Sequence, residues 1–357
     1  MADKVYIGMS GGVDSSVAAY LLKEQGYEVT GVTMRLCDGT SDNQASDSIE
    51  LARLVAERLD IDFEVVDYRD EFRKFVVEPF VATYENGQTP NPCIECNRCI
   101  KFDLMMKGRA VCSDNNSCNS VLIATGHYAH IEYSDGRYKL RKSANLQKDQ
   151  SYFLYTLSQA TLARVILPLG DMDKDEVRRI AEDNNLINAK RKDSQDICFI
   201  PDGDYASFIK SATDKIYPEG NFVDIDGNIL GRHKGIINYT LGQRKGLGLS
   251  LKKPMYVYKL DTDRNEVILA DNDALFSSDL TADNFNWVSI DNPGEPFRAL
   301  GRIRYRHKEA PCTVTPNSDG SISVHFDEPQ RAITAGQSLV LYDEESATYV
   351  LGGGIII

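Results

Sequence analysis

The chain has 357 residues, 42% hydrophobic and 26% charged, with 40 basic against 53 acidic side chains and a net charge of −13. That is a globular mixture long enough for two or three domains. No apolar run approaches the ~20 residues of a membrane span, and the acidic balance argues against nucleic-acid binding by the whole surface while leaving room for a local basic path. Eight cysteines, three of them within seven residues, are too sparse for a secreted disulfide scaffold and read as reduced or catalytic thiols of a cytoplasmic protein.

The opening MADKVYIGMSGGVDSS does not read as a secretory signal. Val5-Tyr6-Ile7-Gly8-Met9 reads as a buried strand entering a turn at Ser10-Gly11-Gly12, and Val17 to Leu22 recur at helical spacing up to a stop at Gly26. A strand over 28–36, an amphipathic helix over 49–59, a strand over 63–66 and a buried strand over 121–125 follow. This β-α-β-α-β alternation predicts an α/β fold, a doubly wound parallel sheet with helices on both faces. From about Asp204 the texture turns to short alternating strands (255–260, 266–270) with turn pairs such as Asp226-Gly227. From about Thr281 it is all-β, with strands over 298–305, 312–316, 321–326, 338–342 and 349–357, and Gly352-Gly353-Gly354 bends into the last of them. That spacing predicts a small barrel. The predicted domains are 1–204, α/β; 205–276, small and mixed; and 277–357, a C-terminal β-barrel.

Ser10-Gly11-Gly12-Val13-Asp14-Ser15-Ser16 lies between the first strand and helix. Two glycines let backbone N–H groups converge on an anion, serine hydroxyls add donors, and the helix N-terminus adds a positive field. Asp14 would repel a phosphate unless Mg²⁺ bridged them, so it is assigned a metal contact. There is no Gly-Lys-Ser/Thr, so this is not a Walker loop. The string resembles the PP-loop ATP pyrophosphatases, which cleave ATP to AMP and pyrophosphate and adenylate an oxygen of the substrate.

Asn91-Pro92-Cys93-Ile94-Glu95-Cys96-Asn97-Arg98-Cys99-Ile100-Lys101-Phe102 spaces three thiols at i, i+3 and i+6, one face of a helix. Cys96 near a helix start, beside Arg98 and Lys101, is expected to be an acidified thiol. Cys198, in DSQDICFI at 193–200, is a partner for it. Cys37 and Cys312 read as buried hydrophobes, and Cys112 and Cys118 as incidental loop thiols able to pair on oxidation. His130, His233, His307 and His325 are scattered, and no zinc-finger spacing follows the cysteines.

The PP-loop, NPxxxCN and IKF at 91–102, ATGHYA at 124–129, KDQSYFL at 148–154, DSQDICFI and YTLGQRKGLG at 239–248 occur in that order. Together they resemble the bacterial tRNA-specific 2-thiouridylases over essentially the whole chain. The resemblance implies an ATP- and Mg²⁺-dependent enzyme that adenylates O2 of the wobble uracil in lysine, glutamate and glutamine tRNAs. Sulfur carried as a persulfide on Cys198 displaces AMP, with Cys96 as the attacking or resolving thiol and a disulfide as product. It further implies that Gly8, Met9, Ser10, Gly11, Gly12, Val13, Asp14 and Ser15 line the phosphates, with Met34 and Gly126 at the nucleoside. Asn91, Pro92 and Cys93 frame the target base, and His127, Lys148, Asp149, Gln150, Arg304, Tyr305 and Gln337 contact tRNA. The implied partners are the tRNA anticodon stem-loop, with the base flipped outward, and a cysteine desulfurase or sulfur-relay protein; no membrane is involved. Relatives commonly carry an aspartate where Cys93 stands. A thiol there opens an alternative in which Cys93, Cys96 and Cys198 ligate a [4Fe–4S] cluster, although Asp103 stands where a fourth ferredoxin cysteine would fall. The competitors are a sulfur carrier that does not act on RNA and another PP-loop ligase or amidotransferase acting on a small metabolite, against which the basic C-terminal barrel and the absence of a glutaminase-like segment argue.

Basic residues are segregated: five between Arg137 and Lys148, three at Lys190-Arg191-Lys192, six between Arg232 and Lys253 and five between Arg298 and Lys308, each stretch without an acid. Such runs in an acidic chain are expected to form the tRNA path.

Overall fold

The computed structural model describes residues 3–37, 42–108, 121–191 and 197–357. Five parallel strands, β1 (Lys4–Gly8), β2 (Glu28–Arg35), β3 (Asp62–Asp67), β4 (Leu122–Ala124) and a short β7 (Val165–Ile166), form the first sheet in the order β3-β2-β1-β4-β7. Alternation decides which face each side chain serves. Val5 and Ile7 enter one core with helices α1 (Val13–Glu24), α2 (Asp42–Leu59) and the helix Lys174–Asp183. Tyr6, Val32 and Ile123 face the other core with Phe102, Met105 and Leu154. The predicted two-sided packing is therefore present. The order of β2, β1 and β4 puts the loops after β1 and β4 side by side at the carboxyl edge of the sheet, the place where open α/β sheets bind ligands.

Two strands of the N-terminal region serve another sheet. β5 (Ala129–Ser134) and β6 (Arg137–Lys142) form a hairpin turning at Asp135-Gly136, and β6 pairs with the last strand of the chain, Leu140 opposite Val350. The middle region holds a helix, Tyr205–Thr213, and a four-stranded sheet of β8 (Gly220–Asp224), β9 (Ile229–His233), β10 (Tyr256–Asp261) and β11 (Glu266–Ala270), ordered β10-β11-β8-β9.

The C-terminal region is a closed barrel of β12 (Phe276–Trp287), β13 (Phe297–Arg302), β14 (Ala310–Pro316), β15 (Ile322–Arg331), β16 (Ser338–Tyr342) and β17 (Tyr349–Ile356). Closure depends on β12, which is long enough to serve two neighbours. Phe276 to Ala282 pair with β15, and Ala282 to Trp287 pair with β17. Its start is five residues earlier than the alternation near Thr281 suggests. Closing the ring removes the sheet edges, and the inward faces of all six strands fill the interior with Ala299, Val314, Phe326 and Leu341 among others.

Candidate active site

The loop after β1 is held from outside by side chains that the sequence motif does not contain. Asn188 donates Nδ2 to the Gly11 carbonyl and to Ser16 Oγ, both at 2.9 Å. Arg191 donates Nη1 to the same carbonyl at 3.2 Å and Nη2 to Ser48 Oγ at 3.1 Å. Ser15 and Ser16 hydroxyls donate to the Gly12 carbonyl at 3.1 and 3.0 Å. The carbonyls are thus turned to protein donors, while the N–H groups of the first turn of α1, which a helix cannot satisfy internally, open on the sheet edge. Gly11 has φ +73°, and a Cβ there would stand 2.6 Å from the Ser48 carbonyl. Gly126 is pressed onto α1 so closely that a Cβ would meet Asp14 C and Ser15 N at 2.8 Å. Met34, near the end of β2, has its Cε 3.9 Å from the Cβ position of Gly8. Gly8 through Ser15, Met34 and Gly126 therefore share one edge.

The Asp14 side chain is 31% exposed and is held through one carboxylate oxygen. Its Oδ1 accepts from Lys174 Nζ at 2.6 Å and from Tyr128 Oη at 2.8 Å. Lys174 and Tyr128 are both buried. Neither was marked by sequence spacing, because they lie 160 and 114 residues from Asp14. Arg191, read as part of a surface basic run, is here a loop residue; the neighbouring Lys192 and residues 193–196 of the DSQDICFI string, like Cys112 and Cys118, lie outside the described residues.

The thiol segment enters through Asn91 in extended conformation, makes an α turn over Pro92–Glu95 and widens into a π-type helix over Cys96–Leu104. Wide helical turns of this kind are rare and concentrate at functional sites. Cys96 is buried, Cys93 and Cys99 are half-buried, and Cys198 lies on the exposed side. The expectation of an acidified Cys96 is overturned. Burial pushes the Cys96 thiol above its ordinary value, and Lys101 only partly opposes this. Cys96 sits a turn beyond the helix start, and Arg98 is engaged by Glu95 at 2.5 Å. Burial likewise raises Cys93, again against Lys101. The protein behind Cys198 raises its thiol although one side of it is exposed, and Cys96, Lys101, Cys93 and Cys37 are all close enough to act on its charge. Cys37 packs at the rim of the same apolar cluster as Cys96 and Phe199. Among the described residues no three Cys, His, Asp or Glu side chains converge as a metal-ligand set. Cys93, Cys96 and Cys198 thus do not fit a cluster in this conformation.

The residues implied for tRNA fall into two kinds. His127 is buried, its Nδ1 2.7 Å from Thr125 Oγ1, and burial with the nearby Lys101 holds it well below the ordinary imidazole value. Asp149 faces inward, accepting from Ser143 N at 3.0 Å and Ser151 Oγ at 2.9 Å, with Arg302 at 3.8 Å. Burial raises its carboxyl despite these partners. Gln150 accepts from Tyr128 N at 2.9 Å. Tyr305 donates to the Asp149 carbonyl at 3.1 Å and lies 4.4 Å from the Phe153 ring. Arg304 donates to the Ala332 carbonyl and Thr334 Oγ1. Gln337 donates to the Thr89 carbonyl at 2.8 Å, so the barrel holds the chain just ahead of Asn91-Pro92-Cys93. Asp149, Gln150, Arg304 and Gln337 use these groups to fix the surface formed by their neighbours.

Most of the basic runs are likewise compensated in space. Arg137 pairs with Asp291 at 2.5 Å, Lys142 with Glu309 at 2.9 Å and Arg298 with Asp327 at 2.6 Å. In the middle region, Arg232 and Lys253 are paired with Glu219 and Asp271, whereas Arg244 and Lys252 line a surface cleft of about 350 Å³ with Leu247, Leu249, Leu251 and Met255.

Comparison with known proteins agrees with this architecture. Residues 3–202 match the family model described as a tRNA methyl transferase HUP domain. Residues 206–271 match a tRNA methyl transferase PRC-barrel domain, and 277–356 an aminomethyltransferase β-barrel domain. Fold and loop thus define a HUP-domain enzyme with two appended β modules. The chain is 47% identical over 363 residues to the tRNA-specific 2-thiouridylase MnmA of Acetivibrio thermocellus, covering 99% of each. It is 48% identical over 365 residues to the protein of that name from Clostridioides difficile, covering 100% of this chain and 98% of the relative. The chain belongs to the tRNA-specific 2-thiouridylase family, whose members are tRNA sulfurtransferases. Among the described residues no helix is long and apolar enough to cross a membrane.

Proposed function

We propose that this protein replaces O2 of the wobble uracil in lysine, glutamate and glutamine tRNAs with sulfur, at the cost of one ATP. The observation that carries the reading is the position of the glycine loop after β1 on the sheet edge, together with a segment that brings Cys96, Cys93 and Cys198 within electrostatic reach of one another. Uracil C2 is a poor electrophile because its oxygen is a poor leaving group. Attack of O2 on the α-phosphorus of ATP expels pyrophosphate and converts that oxygen into part of an AMP leaving group. The terminal sulfur of a Cys198 persulfide then adds to C2 and AMP departs with the original oxygen. Cys96 thiolate attacks Cys198 Sγ; the persulfide S–S bond breaks with its electron pair going to the transferred sulfur, and a Cys96–Cys198 disulfide forms. An external thiol reduces that disulfide before the next turnover.

In this reading Gly8 to Ser15, Met34 and Gly126 hold ATP, and Mg²⁺ enters bound to its phosphates. Asn91, Pro92 and the protonated Cys93 frame the flipped base, and His127 supports that pocket as a neutral ring. Lys148 and Tyr305 present the tRNA-facing surface that Asp149, Gln150, Arg304 and Gln337 hold in place. The catalytic part spans 1–204, a tRNA-contacting part 205–276 and the barrel 277–357. The sulfur comes from a cysteine desulfurase or a relay protein, and the reaction belongs in the cytoplasm. The thiol group beside the loop favours thiolation over the methyl transfer named in the family-model descriptions. Mass spectrometry of nucleosides from tRNA incubated with ATP, Mg²⁺ and a persulfide donor, a cysteine desulfurase with free cysteine, tests the whole scheme. The expected result is 2-thiouridine with the wild type and none with Cys198→Ala. Thiolation without ATP, or pyrophosphate release independent of tRNA, overturns it.

A further inference from the structure

Lysine is among the side chains least often buried, and a cation in the first turn of a helix opposes the helix dipole. Lys174 violates both preferences. It is the first residue of the helix Lys174–Asp183, capped by Asp173 through Glu176 N at 2.7 Å, and it is 7% exposed. Its ammonium is directed across the interior onto Asp14 Oδ1 at 2.6 Å, and Tyr128 Oη completes the contact at 2.8 Å. Asp14 is the one acid in the first turn of α1, the turn whose N–H groups form the anion site. A triphosphate arriving there would meet a negative charge inside the loop meant to attract it. The sequence suggested that Mg²⁺ removes the conflict. The structure offers another cation, supplied by the chain itself.

We propose that Lys174 is a positioning residue of the nucleotide site, the built-in counter-ion of Asp14, and that Asp14 is not a Mg²⁺ ligand. This rests on the reading of the loop as an ATP site. The ion pair offsets the Asp14 charge before ATP arrives, and Tyr128, two residues from Gly126, ties the same carboxylate to the loop after β4. Asp14 can then face a triphosphate without repelling it, and Mg²⁺ is held by phosphate oxygens.

Equilibrium binding of ATP·Mg²⁺ to the full chain, without tRNA or sulfur donor, tests this apart from catalysis. Lys174→Met leaves Asp14 uncompensated and is expected to weaken ATP binding roughly tenfold or more, as breaking a buried pair does. Adding Asp14→Asn to Lys174→Met removes the stranded charge and is expected to recover binding to within about threefold, and Lys174→Arg to retain most of it. Urea unfolding midpoints of the same variants separate a lost nucleotide site from a folding defect, because a stranded charge lowers stability as well. In Asp14→Asn alone, the Mg²⁺ concentration for half-maximal ATP binding is expected to match the wild type. The proposal is overturned if Lys174→Met binds ATP normally, if the double variant binds no better than Lys174→Met, or if Asp14→Asn raises the Mg²⁺ requirement tenfold. A wild type that binds no ATP defeats the functional reading itself, a different result.

Discussion

Burial and Lys101 act on Cys96 in opposite directions, and burial is the larger effect. The Cys96 thiol is consequently protonated at neutral pH, and on the proposed mechanism the resolving step is expected to speed up roughly tenfold per pH unit as the thiolate fraction grows. Single-turnover sulfur transfer measured from pH 6.5 to 9.5 should show that rising limb. Lys101→Met should move it to higher pH; an unmoved limb would separate Lys101 from the thiols. His127 makes a second pH prediction, this time of stability. Its folded value lies well below 6.5, so below that pH the unfolded chain takes up a proton that the native ring refuses. The unfolded state binds more protons, so stability is intact above the unfolded value and falls as pH drops through it, by up to about 1.4 kcal/mol per pH unit. Urea midpoints at pH 7.5 and 5.5 should show a smaller difference in His127→Asn than in the wild type. The motif residues of the loop and the two central thiols were legible as strings. The acidity of Cys96 was not, because a charged neighbour is visible in sequence and the depth of burial is not. Lys174, Asn188 and Arg191 were illegible as site residues for a related reason: nothing local marks a side chain that acts on a loop more than 150 residues away.

Elements with strong periodicity and glycine punctuation were readable, among them β1, α1, β11 and β16. The hairpin β5–β6 was readable only as a turn with basic neighbours. Its attachment to the barrel depends on β17, some 200 residues later, and so could not be seen locally. The same separation hid the fate of its charges. Lys142, buried, pairs with Glu309 at 2.9 Å and lies 4.2 Å from the centre of the Tyr342 ring, while Arg302 reaches both Glu309 and Asp149. These contacts fasten the β5–β6 hairpin and the Asp149 segment to the barrel. Glu309→Gln strands the Lys142 ammonium away from water and is expected to cost roughly 3 kcal/mol in equilibrium unfolding. The double change Lys142→Met with Glu309→Gln removes the stranded cation and should cost distinctly less. If the two variants lose the same stability, the pair is not what holds the hairpin to the barrel.

At the scale of the molecule, an acidic protein must concentrate whatever positive field it offers to tRNA, and sequence segregation overstated how much there is. Arg137, Lys142, Arg298 and Arg302 lie in acid-free stretches, yet each meets a carboxylate delivered by another part of the fold. Folding therefore cancels charge that a linear reading leaves standing. In the middle domain, Arg244, Lys245 and Lys252 are exposed and make no ion pair among the described residues, and two of them line the cleft beside Leu247 and Leu249. Each phosphate neutralised by such a cation releases counter-ions from the RNA, which steepens the fall of log K with log salt by about 0.7 to 0.9 per contact. Arg244→Ala with Lys252→Ala is accordingly expected to weaken tRNA binding at low salt and to flatten that slope by about 1.5. Arg298→Ala, whose guanidinium already serves Asp327 and Glu344, should leave the slope where it is. Equal slopes for the wild type and the Arg244/Lys252 variant, measured by filter binding across salt concentrations, would move the RNA path off the middle domain.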